Sequence, residues 1–162
     1  MKIFGVVDTT FARFDMGGSV IDELHRLGTG FRVVRRTVPG IKDIPVEAMD
    51  LFTSQQCDIV IACGMPGKEP LDKISASIAS QGIMEVMLKT GKHILEVFVH
   101  EEEAKDEAEL AWLMDRRARE HAQNAYYMIF NPEMLRRNAG KGLRQGFEDV
   151  GPVGERNGGM VH

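Results

Sequence analysis

The chain has 162 residues, close to the roughly 150 that one domain contains. We therefore expect a single domain over residues 1–150, followed by a flexible C-terminal tail over 151–162 that is rich in glycine and polar residues. The formal net charge of −4 argues against a protein that binds nucleic acid or an anionic membrane, and a hydrophobic content of 43% excludes a disordered chain.

The sequence predicts a cytoplasmic protein with reduced cysteines. Its unbroken apolar runs, such as residues 59–63, are far shorter than the ~18 residues of a transmembrane helix. The first residues lack the basic and apolar regions of a signal peptide. Cys57 and Cys63 form no Cys-x-x-Cys pair and have no histidine nearby, so we expect two small core side chains rather than a zinc site.

Four short runs rich in Val, Ile and Phe predict strands over residues 2–7, 31–38, 58–64 and 93–99. Because helical patterns separate these runs, the chain is expected to form βαβ units and a three-layer α/β/α fold with a four-stranded parallel sheet. Right-handed crossovers in so short a chain favour the flavodoxin-like strand order 2-1-3-4.

Helices are predicted over residues 18–27, from Pro45 onward, over 71–89, over 101–130 and over 132–138. Proline is favoured in the first turn of a helix, and Gly28 is suited to end the first one. The longest helix has alanines at spacings of three, four and seven residues and three glutamates at its start. Asn131 and Pro132 should end it.

Four loops leave the carboxyl ends of the predicted strands, which is the edge where parallel sheets bind ligands. They cover residues 8–11, 39–43, 65–68 and 100–101. Together they offer aromatic, hydroxyl, cationic and carboxylate groups beside Gly-Pro turns whose backbone a ligand can approach. We therefore expect these loops to converge on a site for a polar, planar ligand.

Each loop also has an ordinary structural alternative, which the pattern alone favours. Phe11 either stacks on a flat heterocycle or plugs the core, and Thr9 and Thr10 either bind ring edges or form a common turn. Residues 39–43 either grip a polyol or carry an exposed ion pair. His100 is either a proton shuttle or a polar residue at a strand end.

Other patterns carry no ligand prediction. Residues 64–68 have the wrong spacing for a phosphate loop, and the glycine pairs at 28–30 and 140–142 follow helical stretches and are interpreted as helix ends. Solvated structural roles are expected for the remaining histidines, which are His25, His93, His121 and His162. A subunit-facing surface is expected for the basic residues near the C-terminus, which are Arg136, Arg137, Lys141 and Arg144.

Several segments taken together resemble the archaeal-type riboflavin synthases, which share the fold of 6,7-dimethyl-8-ribityllumazine synthase. The segments cover residues 8–13, 37–43, 64–68, 96–101 and 140–149. Each is weak alone, but their order and spacing are specific, and the resemblance extends over nearly the whole chain up to the predicted tail.

The resemblance implies a dismutation of two 6,7-dimethyl-8-ribityllumazine molecules. One donates a four-carbon unit to the other, which gives riboflavin and 5-amino-6-ribitylamino-2,4-pyrimidinedione. It further implies a homopentamer with active sites at subunit interfaces and a need for Mg²⁺, with no flavin or nicotinamide cofactor. The sequence does not reveal the ligands of the metal.

The resemblance also assigns expected roles to the loop residues. The expected catalytic residues are His100, Lys68 and Glu101. The expected substrate-binding residues are Thr9, Thr10, Phe11, Arg13, Pro39, Gly40, Ile41, Lys42, Asp43, Met65 and Phe98. In this scheme Phe11 stacks on a ring, the threonines bind the pyrimidinedione edge, residues 39–43 hold the ribityl chain, and Arg13 and Glu101 orient neighbouring groups.

Two alternatives remain open at this point. Lumazine synthases carry a histidine near a phosphate-handling arginine in the loop after the third strand, and residues 65–70 here contain neither. This difference favours riboflavin synthase over lumazine synthase, because two unphosphorylated substrates need no phosphate clamp. A non-catalytic protein that binds flavin or lumazine is the second alternative.

Overall fold

The structure, a computed structural model, describes residues 1–154 and residue 156. In this part of the chain the strands are β1, Lys2–Thr9; β2, Phe31–Val38; β3, Ile59–Gly64; and β4, Ile94–Phe98. They form one sheet in the order β2-β1-β3-β4, and every neighbouring pair is parallel. The predicted fold class and strand order are confirmed.

Helices cover both faces of the sheet. They are α1, Met16–Leu27; α2, Ile44–Thr53; α3, Pro70–Thr90; α4, Glu107–Phe130; and α5, Pro132–Asn138. Helices α1 and α4 share a core with Phe4, which includes Leu24 and Met114. Helices α2 and α3 share a second core, which includes Leu51 and Ile83. The layers are therefore α/β/α, as predicted.

Strand β3 is buried along its whole length, as expected of a central parallel strand that is covered on both faces. Ile61 and Cys63 belong to the core of α1 and α4, whereas Val60 and Ala62 belong to the other core. Both cysteines are free and buried, as predicted, and burial raises the pKa of Cys57 to about 11.

Strand β1 is longer than predicted, because Asp8 and Thr9 continue its ladder with β2 instead of beginning a loop. Asp8 is buried, and its carboxylate pairs with Arg35 and accepts a hydrogen bond from Thr37 Oγ1 at 2.5 Å. These partners on β2 stabilise a charge that would otherwise be costly inside the sheet. The loop that can meet a ligand therefore starts at Thr10.

Helix α4 begins at Glu107 and not at residue 101, so the predicted start of this helix is wrong. Residues Glu101–Glu103 form a separate 3₁₀ turn, and Ala104 after it is extended. Asp106 Oδ1 accepts a hydrogen bond from the backbone N–H of Glu109 at 2.8 Å, and a side-chain cap of this kind fixes the start of a helix. The 3₁₀ turn thus belongs to the loop after β4.

The chain after α4 follows the prediction until the tail. Helix α5 is present, and residues 139–150, here called the C-terminal loop, fold back along α4, where the N–H of Gly146 donates to Glu120 Oε2 at 2.9 Å. The predicted tail over 151–162 lies mostly outside the described residues. Within the described residues, every helix is too short or too polar to span a membrane.

Candidate active site

A cleft of about 250 Å³ opens at the carboxyl ends of the strands. Its lining residues are Phe11, Gly40, Ile41, Lys42, Asp43, Met65, Pro66, Gly67, Asp72 and Ser75. The loops after β1, β2 and β3 therefore converge, as the sequence predicted. Six of the predicted substrate-binding residues meet in this cleft.

The loop after β1 is fixed against the end of β2 and the loop that follows it. The N–H of Thr10 donates to the carbonyl of Val38 at 2.9 Å, and the N–H of Phe11 donates to the carbonyl of Pro39 at 3.2 Å. The Phe11 side chain remains 55% exposed beside the cleft, so the core-plug alternative is wrong. An exposed ring held by its own backbone is well placed to stack on a planar ligand.

The two threonines take part in the loop itself. Thr9 is buried, and its Oγ1 accepts a hydrogen bond from the N–H of Ala12 at 3.3 Å. Thr10 Oγ1 donates to the carbonyl of Pro39 at 3.4 Å. These contacts agree with ordinary turn chemistry, and a role in binding the substrate edge stays a prediction.

Residues Ile41–Asp43 form a 3₁₀ turn at one side of the cleft. Asp43 Oδ2 accepts a hydrogen bond from the N–H of Gly40 at 3.1 Å, which fixes the turn. The Asp43 carboxylate is therefore engaged by the backbone of its own turn and not by Lys42. Lys42 is exposed, so its ammonium group is available for a hydroxyl or carbonyl of a ligand.

Phe98 lies behind one wall of the cleft. A Cβ atom at Gly64, the last residue of β3, would lie 2.6 Å from Ile41 Cγ2 and 3.1 Å from Phe98 Cε1. Glycine at this position therefore allows the Ile41 side chain and the Phe98 ring to pack over the end of β3. Ile41 lines the cleft, whereas Phe98 lines a different depression.

This second region, here called the β4 depression, is wide and open, with a volume of about 820 Å³. It lies between α3 and β4 and is lined by Lys73, Ala76, Ser77, Ser80, Glu96, Phe98, His100, Glu102 and Glu103. Ser80 Oγ donates to Glu96 Oε1 at 2.6 Å, and burial raises the pKa of Glu96. Of the predicted site residues, His100 and Phe98 therefore line this depression and not the cleft that Phe11 lines.

A third region of about 240 Å³, here called the Arg13 depression, contains Arg13, Lys68 and Glu101. Arg13 Nη1 donates to Glu101 Oε1 at 3.1 Å, and Arg13 also pairs with Glu107 of α4. The predicted orienting pair of Arg13 and Glu101 is thus present. The catalytic residues predicted from sequence are divided, with Lys68 and Glu101 here and His100 in the β4 depression.

The contribution of α3 to the cleft was not predicted from the sequence. Asp72 and Ser75 lie in its first turns, and Asp72 Oδ2 accepts a hydrogen bond from the N–H of Glu69 at 3.1 Å. The order of the elements could have predicted this contribution, because a helix that follows a strand of a parallel sheet begins at the edge where ligands bind. Pro39, in contrast, is exposed and outside the set that lines the cleft.

Among the remaining histidines, His121 is not solvated as predicted. It lies half-buried on α4, and burial, together with the nearby Arg117, lowers its pKa to about 4. His25 and His93 are exposed, as expected. His162 lies outside the described residues.

Metal-ligating side chains are not clustered in the described residues. No group of three or more His, Cys, Asp or Glu side chains within them is arranged to hold a metal ion. The carboxylates of Glu101 and Glu107 are paired with Arg13. The described residues therefore give no set of three such side chains for magnesium.

Comparison with known proteins gives one family and a group of archaeal relatives. The family model of 6,7-dimethyl-8-ribityllumazine synthase matches residues 2–133. A protein of Methanothermobacter marburgensis named riboflavin synthase is 54% identical over 149 residues, which are 92% of this chain and 97% of that protein. Proteins of the same name are 45% identical in Archaeoglobus fulgidus (94% of this chain, 99% of that protein) and 47% identical in Aeropyrum pernix (94% and 98%).

Proposed function

Because this chain belongs to the 6,7-dimethyl-8-ribityllumazine synthase family and matches archaeal riboflavin synthases over nearly its whole length, we propose that it is a riboflavin synthase. The family resemblance that was read from the loop segments is confirmed by these matches. The observation that carries the proposal is the coincidence of the matching segments with the cleft that Phe11 and residues 40–43 line.

The proposed reaction is the transfer of a four-carbon unit between two molecules of 6,7-dimethyl-8-ribityllumazine. The C7 methyl group of this substrate is acidic, because its carbanion is delocalised into the ring, so the protein mainly has to hold two rings in contact. Correct positioning corresponds to effective molarities of ~10⁵ M or more, which is about 7 kcal/mol of the barrier. Because one substrate molecule gains what the other loses, no flavin or nicotinamide cofactor is required.

The cleft is suited to one of the two substrates. In our proposal the exposed Phe11 ring stacks on the pyrimidinedione system, and the 3₁₀ turn with Lys42 and Asp43 binds the ribityl hydroxyls. The volume of about 250 Å³ falls below the ~300–1,000 Å³ of ordinary ligand pockets. A second substrate therefore needs walls that the cleft of one chain does not provide.

We expect those walls to come from a second copy, in a homopentamer with active sites at subunit interfaces. Helix α3 supports this, because it carries a row of apolar side chains that are between 51% and 77% exposed. The row consists of Leu71, Ile74, Ile78, Met84 and Leu88. Exposed apolar rows of this kind are typical of protein interfaces, and the same helix lines the cleft through Asp72 and Ser75.

In this assembly His100 and Phe98 of one chain would act on a substrate held by a neighbouring chain. Such an arrangement would explain why they lie in the β4 depression and not in the cleft. His100 is then the proposed proton-transfer group, and Lys68 stabilises negative charge on the substrate. Arg13 and Glu101 orient neighbouring groups.

Magnesium and a cytoplasmic location complete the proposal. The magnesium requirement rests on the family resemblance, and we assign no catalytic step to the metal because the described residues hold no group of three or more side chains arranged to bind it. Two buried, unpaired cysteines support a reducing compartment such as the cytoplasm.

The deciding experiment is incubation of the purified protein with 6,7-dimethyl-8-ribityllumazine, in Mg²⁺ and in EDTA. We expect riboflavin and the pyrimidinedione to form in equal amounts. Absorbance and chromatography measure the two products. Tight binding without turnover would instead indicate a storage protein.

Lumazine synthase remains the second candidate, because the matching family model bears that name. A lumazine synthase would form product from the pyrimidinedione and a four-carbon phosphate. The same preparation should be tested with these two substrates, and we expect no product, since residues 65–70 lack the histidine and the arginine of a phosphate site.

A further inference from the structure

Arg117 is a buried cation on α4 that lies beside the end of β4. It is 5% exposed. Its Nη1 donates to the carbonyl of Phe98 at 3.1 Å and to Glu103 Oε2 at 2.9 Å. One guanidinium therefore fixes both the last residue of β4 and the 3₁₀ turn that follows it.

Glu103 extends this connection to His100. The Oε2 atom of Glu103 that accepts from Arg117 also accepts a hydrogen bond from the backbone N–H of His100, at 2.7 Å. The backbone on both sides of Val99 is thus held by Arg117, directly at Phe98 and through one carboxylate at His100.

The C-terminal loop covers Arg117 from the other side. Arg117 Nε donates to the carbonyl of Gln145 at 3.2 Å, and the Phe147 ring lies 4.7 Å from Arg117 Cζ. A Cβ atom at Gly146 would lie 2.5 Å from Arg117 Nε, and the φ of Gly146 is +80°, so glycine is required where the loop crosses the guanidinium. This cover excludes water and strengthens the bonds that Arg117 makes.

A buried arginine at this position lowers the stability of the fold. Its Nη2 is buried and has no hydrogen-bond partner in the described residues. A buried donor without a partner is destabilising, and apolar side chains of similar volume often replace buried charges without loss of stability. This penalty indicates that Arg117 acts through the groups that it positions and not by adding stability.

We propose that Arg117 is a positioning residue for the turn that presents His100. It sets the backbone from Phe98 to Glu103 and so directs the His100 imidazole. The proposal rests on the proposed function, because it gives this turn a task in turnover.

The test compares Arg117→Gln with Arg117→Lys and with a control, Arg116→Gln. Arg116 is the neighbouring arginine on α4 and contacts Glu148 and the carbonyl of Phe147 in the C-terminal loop, but it makes no bond to residues 98–103. Turnover at saturating 6,7-dimethyl-8-ribityllumazine and the affinity for this substrate are measured separately, the latter by fluorescence titration.

We expect Arg117→Gln to lower turnover by about tenfold to 100-fold, the scale on which misplaced catalytic groups act, while substrate affinity changes by no more than about twofold. Arg117→Lys should restore part of the turnover, and Arg116→Gln should stay within about twofold of the unchanged protein. An equal loss of affinity and turnover, or an equal effect of Arg116→Gln, would overturn the proposal.

Coupling to Glu103 gives a second arm. Because Arg117 reaches His100 through this carboxylate, the double variant with Glu103→Gln should lose about as much turnover as Arg117→Gln alone, whereas independent residues would give multiplied losses. Hydrogen exchange over residues 98–103 should rise in Arg117→Gln and not in Arg116→Gln. Multiplied losses or unchanged exchange would contradict the proposal.

These measurements distinguish a failure of the proposed function from a failure of the positioning role of Arg117. A wild-type protein that turns over no lumazine would overturn the proposed function and the positioning role with it. An active wild-type protein whose Arg117→Gln variant keeps full turnover would overturn the positioning role alone.

Discussion

Phe11 is held where a ligand can reach it, because its backbone is fixed to the loop after β2 while its ring remains exposed. Sequence alone favoured a core position for this residue, since the pattern of a phenylalanine after a strand does not reveal the direction of the chain at Thr10. The direction depends on two backbone hydrogen bonds, one to the last residue of β2 and one to the loop after it.

Phe11→Ala should weaken binding of 6,7-dimethyl-8-ribityllumazine by about tenfold, because stacking on an exposed aromatic ring is worth about 1–3 kcal/mol per base. Fluorescence titration measures the affinity. Trp112→Ala is the matched control, because Trp112 is equally exposed at 55% and lies outside the cleft. Unchanged affinity in Phe11→Ala would remove this ring from the site.

His100→Gln should lower turnover by ~10²-fold or more, as expected when a general base is removed. The control is His93→Gln, since His93 is exposed and directly precedes β4, at the end of the strand opposite to His100. Turnover is followed as riboflavin formation. If the His100 variant keeps turnover within a few-fold, His100 is not the base and catalysis consists mainly of proximity.

His121 makes stability depend on pH. Burial lowers its pKa from 6.5 to about 4 in the folded chain, so the folded state holds the neutral imidazole. The stability that the neutral His121 imidazole contributes is fully present above pH 6.5 and is lost as the pH falls toward 4. Below pH 6.5 the unfolded state binds the proton more readily than the folded state does.

We expect the free energy of unfolding in urea to fall between pH 7 and pH 5 by as much as about 2 kcal/mol. His121→Gln should reduce this fall, and His25→Gln, at an exposed position, should leave it unchanged. Equal falls in the wild type and His121→Gln would assign the pH dependence to other groups.

At the scale of elements, the strands and their order were predictable because apolar runs and right-handed crossovers leave few alternatives. The start of α4 was not, because three glutamates suit a helix N-terminus as well as a 3₁₀ turn, and only the Asp106 cap distinguishes the two. The convergence of the loops was also predictable. Their division into a cleft and two depressions was not, since it depends on how Phe98 and Ile41 pack over Gly64.

The cap gives a prediction for the element. Asp106→Ala should destabilise the protein by about 1 kcal/mol, because the N–H of Glu109 loses its side-chain acceptor. The midpoint of urea unfolding measures the change. Asp22→Ala on α1 is a control, since Asp22 is exposed and caps no helix within residues 1–154. Equal effects would show that lost charge, and not lost capping, is responsible.

At the scale of the whole molecule, the apolar row on α3 is the feature that one chain leaves unexplained. Ile78→Asp should dissociate the proposed assembly, because a carboxylate would be buried without a partner in an apolar interface. Light scattering coupled to size-exclusion chromatography reports the mass. Val46→Asp on α2, which is also exposed, is the control. A variant with the wild-type mass would exclude this face of α3 from the interface.

The assembly prediction also connects to catalysis. If neighbouring chains supply His100 to the cleft, Ile78→Asp should abolish turnover while each chain stays folded by circular dichroism. Full activity in a dissociated chain would contradict sites at subunit interfaces.

The hydrogen bonds from Thr10 and Phe11 to the end of β2 and to the loop that follows it join two walls of the cleft into one unit. Folding therefore orders the binding surface before any ligand arrives, and little protein disorder remains to be lost on binding. The flexible ribityl chain then accounts for most of the conformational entropy that is lost when the substrate is captured. In that case affinity depends more on the stiffness of the ligand than on the flexibility of the loops.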